Sequence, residues 1–199
     1  ASWQVAGAAG SLDHGDTVLG YFTAASTGLA TIELNEAGRA LVEQWINHPE
    51  TNHGFVIQDY DNVSTDDLDF DSREVATVAA RPMLTITYGV APPPVVIATL
   101  RDGLDGYEGT RDTRIRSDLP DRTFGSSSRL EVDGNPDFSS LLRWDLTSIP
   151  EGSMVTAAAI TLDVVNTSLD RFPLYAVARP WVESETTFNL AAAGSAWQV

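Results

Sequence analysis

Alternation of apolar and polar residues runs through most of the chain. Leu84, Ile86 and Tyr88 alternate with Thr85 and Thr87, Leu142, Trp144 and Leu146 alternate with Arg143 and Asp145, and Ile160, Leu162 and Val164 alternate with Thr161 and Asp163. A period of two puts successive side chains on opposite faces, so each run predicts a half-buried strand. Shorter runs of the same kind are Phe55 and Ile57 after Gly54, Phe70 between Asp69 and Asp71, Leu130 with Val132, and Leu174 to Val177. Turn residues punctuate them, at Asp133-Gly134-Asn135-Pro136 and at Ile149-Pro150-Glu151-Gly152. One segment departs from this period. Leu41, Val42, Trp45 and Ile46 follow helical spacing, Asn35 stands where a cap is needed, Glu36 lies in the first turn, and Pro49 stops the run. The pattern predicts an all-β fold, a jelly-roll-like antiparallel β-sandwich with one short helix over about residues 36–47.

The strongest interruption is Gly89-Val90-Ala91-Pro92-Pro93-Pro94. Consecutive prolines cannot donate to a sheet ladder and favour a stiff extended chain, so the sequence predicts a linker over residues 90–97 between units at 1–89 and 98–199. The ends carry a second signal: Ser2-Trp3-Gln4-Val5 and Ala196-Trp197-Gln198-Val199 share their last three residues, and Ala1-Ser2 mirrors Ser195-Ala196 in composition. Self-similarity at a fixed period marks an array built from a recurring unit.

Composition restricts the chemistry. At 199 residues and 43% hydrophobic content the chain can bury a core. Its formal charge of -16, from 28 acidic and 12 basic residues, opposes binding to nucleic acid or insertion at an anionic membrane surface. All 12 basic residues are arginine and cysteine is absent, which removes lysine nucleophiles, isopeptide cross-links, disulfides and thiolate metal sites. No signal-like stretch follows Ala1, and no apolar run is long enough to span a membrane, so the sequence predicts a soluble, mature or excised segment.

Longer stretches carry a family resemblance. "DTRIRSDLPDRTFGSSSRLEV" from Asp112, "SLLRWDLTSIPEGSMVTAAAITLDVVN" from Ser140 and "ARPWVESETTFN" from Ala178 resemble the opening half of a DNRLRE-type domain. "LVEQWINHPETNHGFVI", "DFDSRE" and "ARPMLTITY", between Leu29 and Tyr88, resemble its closing half. The family is similar to secreted carbohydrate-binding modules and disaggregatase-related jelly rolls, and its members occur in tandem on large surface proteins. Here the halves come in inverted order. The resemblance therefore implies that residues 1–89 are the C-terminal half of one sandwich and 98–199 the N-terminal half of the next, one period of a tandem array. A circular permutation is the competing account. A half sandwich exposes strand edges and half a core, so units would complete one another head to tail. Trp3, Gln4, Val5, Trp197, Gln198 and Val199 are the expected assembly residues.

Candidate chemistry is sparse. Asp67, Asp69 and Asp71 fall at i, i+2 and i+4 and share one strand face, with Asp59, Asp61 and Asp66 close in sequence. Hard oxygen donors at this density suit Ca²⁺, although an EF-hand's glycine and terminal glutamate are missing; a solvated acidic face is the other use. Asp102, Asp105 and Asp112 form a second candidate calcium group, and Glu108 accompanies them. Glu183 and Glu185 read as surface carboxylates without the differently tuned partner that glycoside hydrolysis requires. His14, His48 and His53 are dispersed, and no serine sits in a nucleophile elbow. For glycans, Tyr60, Tyr107 and Arg73 are the candidates, whereas Trp45, Trp144 and Trp181 occupy core-like positions. Arg73, Arg114 and Arg143 could line a basic groove or simply pair with aspartates. The resemblance includes binders of acidic polysaccharide such as alginate, which this charge disfavours unless calcium bridges the two.

Together these features predict a non-enzymatic extracellular or cell-surface module. The first expectation is a structural repeat of a fibre, stalk or adhesin whose partners are copies of itself. The alternative is a calcium-assisted carbohydrate-binding module for extracellular polysaccharide.

Overall fold

The computed structural model describes residues 6–10, 12–59, 67–89 and 96–196. The chain forms strands β1 (Gly20–Ala24) and β2 (Gly28–Glu33), helix α1 (Glu36–Asn47), β3 (Phe55–Ile57), β4 (Leu68–Asp71), β5 (Met83–Gly89) and β6 (Val96–Leu100). It continues through β7 (Thr110–Arg116), β8 (Arg129–Gly134), β9 (Asp137–Trp144), β10 (Met154–Asn166), β11 (Ser168–Ala176), β12 (Leu190–Ala192) and β13 (Ser195–Ala196). All strand pairs are antiparallel. The all-β sandwich, with a single α-helix among the described residues, follows the alternating pattern of the sequence.

One layer runs β1-β11-β3-β9-β7. The other is organised by β10, whose residues Ala159 to Thr161 pair with β2 and with β5 at once, so the two neighbours lie on opposite edges. Beyond β5, β4 takes the same edge, and β8 and β6 extend the layer from β4 and β5. The hairpin from β8 to β9 connects the layers.

Helix α1 begins where the sequence predicts. The Gly38 amide donates to Asn35 Oδ1 at 3.0 Å, while Val42, Trp45 and Ile46 are buried on its inner face. Trp45 meets Phe55 at 4.9 Å between ring centroids, Phe55 meets Trp144 at 6.3 Å, and Phe22 meets Phe70 at 5.5 Å. These edge contacts tie the helix and both layers into one core. A smaller cluster of Val56, Ile115, Leu141, Val177, Trp181 and Ala191 with Ala8 packs on the outer side of the first layer.

The expected boundary at the proline run falls between strands that share both layers. Strands from residues 20–89 and 96–176 alternate within both layers, and one core draws on both segments. The physical reason is edge pairing: β10 offers two edges, which β2, β4 and β5 fill, and this joins the segments on either side of the prolines in one layer. Val96 and Ile97, expected in the linker, pair with Tyr88 and Thr87 as part of β6. The expected assembly residues Trp3, Gln4, Val5, Trp197, Gln198 and Val199, and the prolines at 92–94, lie outside the described residues.

Interleaving makes a direct prediction. With a specific protease site inserted between Pro93 and Pro94, cleaved protein will elute as one native species of the intact chain's size, 21.4 kDa, and separate only in denaturant. Elution of two smaller species in native buffer would contradict the interleaved fold. In the same core, Phe55→Ala should cost about 3–5 kcal/mol in urea unfolding.

Candidate functional site

An open groove of about 560 Å³ lies at the end of the first layer where β7 begins and β9 finishes. Its walls are the β6–β7 loop with Tyr107 and Glu108, Arg111 of β7, Arg143 and Trp144 of β9, and the segment from Asp145 to Ser148. Pro49 and Asn52, after α1, close one side.

Local geometry fixes each part. The Tyr107 hydroxyl donates to the Asp145 carbonyl at 3.1 Å, and the Asp145 amide donates to the Gly109 carbonyl at 2.9 Å. The Tyr107 ring lies so close over Gly109 that a Cβ there would come within 2.7 Å of the ring and 2.8 Å of the Asp145 Cβ, so a larger residue would displace the ring from this position. Burial pushes the Tyr107 hydroxyl's pKa far above its ordinary value. On the other side, Asn52 Nδ2 donates to the Trp144 carbonyl at 2.8 Å. Gly54, with φ +85°, lets its segment pass β9, where a Cβ would stand 2.4 Å from the Leu142 carbonyl.

Arg111 and Arg143 face each other across the β7–β9 ladder. Arg143 stacks over Trp181 at 5.5 Å, and Trp181 is held by its indole N–H donating to the His53 carbonyl at 2.7 Å. Burial, and then the Arg111 charge, lower the pKa of Arg143; burial, and then Arg143, lower that of His53. The groove thus combines an aromatic ring, two guanidinium groups, the carboxylates of Glu108 and Asp145 and the hydroxyls of Thr147 and Ser148. That set offers donors and acceptors side by side.

Behind the groove loop, Arg73 sits among four carboxylates. Its Nε lies 2.9 Å from both Glu74 and Glu183, its Nη1 lies 2.9 Å from Asp102, and its amide donates to Asp112 at 2.8 Å. Asp102 also accepts from the Thr110 amide and Glu183 from the Asp112 amide, at 2.9 and 2.7 Å. The network therefore holds both ends of the loop that carries Tyr107. Asp112 is 1% exposed, and its pKa is raised well above the carboxylate range by burial first and by Glu74 next.

The sequence candidates fall as follows. Of Asp102, Asp105 and Asp112, the first and last are spent on the Arg73 network, while Asp105 is exposed in the loop with φ 51°. Arg73 is in that network and not in the groove. Glu183, expected on the surface end of a strand, lies in a turn with its side chain 13% exposed, because it closes on Arg73 and the Asp112 amide. Tyr107 does line the groove; Tyr60 and Asp61 lie outside the described residues. Asp59 is half-buried. Asp67 and Asp69 converge with Glu131, whereas Asp71 pairs across β4–β8 with Arg129 and faces the charge of Asp163. Arg114 pairs with Glu131 and stacks on Phe124. Trp45, Trp144 and Trp181 are buried, as their positions suggest.

Asp112 generates a pH prediction. A carboxyl whose pKa is higher folded than unfolded holds its proton more tightly in the fold, so its contribution is favourable at low pH and is lost as pH rises from about 4 through its folded value. Urea unfolding between pH 4 and 8 should show Asp112→Asn gaining stability over the wild type as pH rises; a pH-independent difference would contradict it. Arg73→Ala, which leaves the surrounding carboxylates without their cation, should cost about 2–3 kcal/mol at pH 7 in the same assay.

The comparisons with known proteins bear on the groove. Residues 106–196 match the model of carbohydrate-binding module family 96, a span that contains every groove residue named above except Pro49 and Asn52. No curated protein and no solved structure matches the chain. The matched span is that of a carbohydrate-binding-module-like domain.

Proposed function

We propose that the groove between Tyr107 and Arg143 binds a polysaccharide chain and that the protein is a non-catalytic carbohydrate-binding module working outside the cell. The observation that carries this reading is the groove itself, lying almost wholly in the span that matches a binding-module family. Its volume is within the range of about 300–1,000 Å³ usual for ligand clefts. Sugars present paired hydroxyls that donate and accept together, and the groove sets two guanidinium donors beside two carboxylate acceptors. The half-buried ring of Tyr107 supplies an apolar wall for sugar C–H groups. Arg143 is the anchor: among the described residues its guanidinium stacks on Trp181 and has no ion pair, which leaves its N–H groups for a ligand.

The fibre reading has less to support it. It rests on half sandwiches seeking partners, and the two halves are already joined in one core. No described helix is long and apolar enough to cross a membrane.

Affinity electrophoresis in gels containing neutral or uronate-bearing polysaccharides tests the proposal. The wild type should be retarded by at least one of them, and Arg143→Ala and Tyr107→Ala should each weaken that binding about tenfold or more, equivalent to about 1.4 kcal/mol. Circular dichroism must show both variants folded. Lack of retardation by every polysaccharide, or equal retardation of folded variants, would overturn the reading.

A further inference from the structure

We infer that Asp67, Asp69 and Glu131 form a calcium site on the second layer, separate from the groove. One carboxylate oxygen from each of the three lies within 4.8 Å of the other two. The pairing of β4 with β8 produces this convergence, since Asp69 and Glu131 are direct partners in the ladder and Asp67 immediately precedes β4.

The convergence has an independent companion. Asp69 is 5% exposed, and its Oδ1 is buried with no hydrogen-bond partner. A buried carboxylate oxygen left without a donor is costly, and a cation at that point removes the cost. The other Asp69 oxygen, Oδ2, is held by Arg129 Nη1 at 3.0 Å. Glu131 divides its oxygens in a related way: Oε2 accepts from Arg114 at 2.8 Å and Arg116 at 3.0 Å, and Arg116 also pairs with Asp118. Asp67 Oδ1 accepts from Asn166 Nδ2 at 3.1 Å. The arginines therefore occupy the flanks of the cluster and orient its carboxylates.

The donor set selects the ion. All three ligands are hard oxygens with no histidine among them, and oxygens a few ångströms apart suit the calcium–oxygen distance of roughly 2.3–2.6 Å. Three carboxylates supply part of the six to eight oxygens calcium takes, with water completing the shell. The nearby guanidinium groups weaken attraction for a cation, so affinity falls in the range of extracellular modules, on the order of 10⁻⁴–10⁻³ M.

Isothermal titration of CaCl₂ into chelator-treated intact protein, paired with thermal melts, tests the site. The wild type should bind one calcium per chain in the millimolar range or tighter, and 10 mM CaCl₂ should raise its Tm by about 3 °C. Asp69→Asn and Glu131→Gln should each abolish both responses. Asp163→Asn, which lies off the cluster, should retain both. Because one ligand variant could fail to fold, either folded variant suffices. No calcium response in the wild type, or the same response in a folded ligand variant, overturns the inference.

Discussion

Strand β10 is hydrogen-bonded along both edges, to β2 on one side and to β5 and then β4 on the other, and most of the molecule follows from that arrangement. It commits residues from either side of the proline run to a single layer. With β5 in place, β6 pairs against it and delivers the loop that carries Tyr107. With β4 in place, β8 aligns so that Asp69 faces Glu131. The groove and the carboxylate cluster are thus separate products of one strand's pairing.

Electrostatics divide the same way. In a chain of formal charge -16, arginines are drawn to carboxylates, and Arg73, Arg114, Arg116 and Arg129 are all used to hold acidic side chains together inside or beside the sandwich. Such partly buried pairs orient their surroundings more than they stabilise them, because desolvation offsets much of the Coulombic gain. Arg73 shows this clearly: it fixes both ends of the loop behind Tyr107 without reaching the groove. Arg143 is placed differently, against the face of Trp181, and makes no ion pair among the described residues.

Much of the fold could be read in the sequence because local signals agreed with tertiary packing. Asn35, Glu36 and the Val42, Trp45 and Ile46 stripe located α1, and alternation located β5, β9 and β10. What could not be read was pairing between strands distant in sequence. The aspartate run suggested Asp67, Asp69 and Asp71 as one set, but Asp71 falls opposite Arg129 while Glu131, sixty residues or so further on, completes the cluster. Glu183 looked superficial because nothing local shows that its turn folds back onto Arg73. Tyr107 was legible as an aromatic in polar surroundings; Arg143 was offered for a basic groove together with Arg73 and Arg114, and only the enclosure by β7 and the segment after α1 separates it from those two, which pair with carboxylates. The prolines and matching termini pointed to a boundary, and the strand order shows that a chain break in pattern need not be a break in the core.

The most direct test of the account is a crystal structure of the protein soaked with an oligosaccharide from a polysaccharide it retains. The account predicts sugar density in the groove, against Tyr107 and within hydrogen-bond distance of the Arg143 guanidinium. Sugar bound elsewhere on the sandwich, with the groove empty, would contradict it.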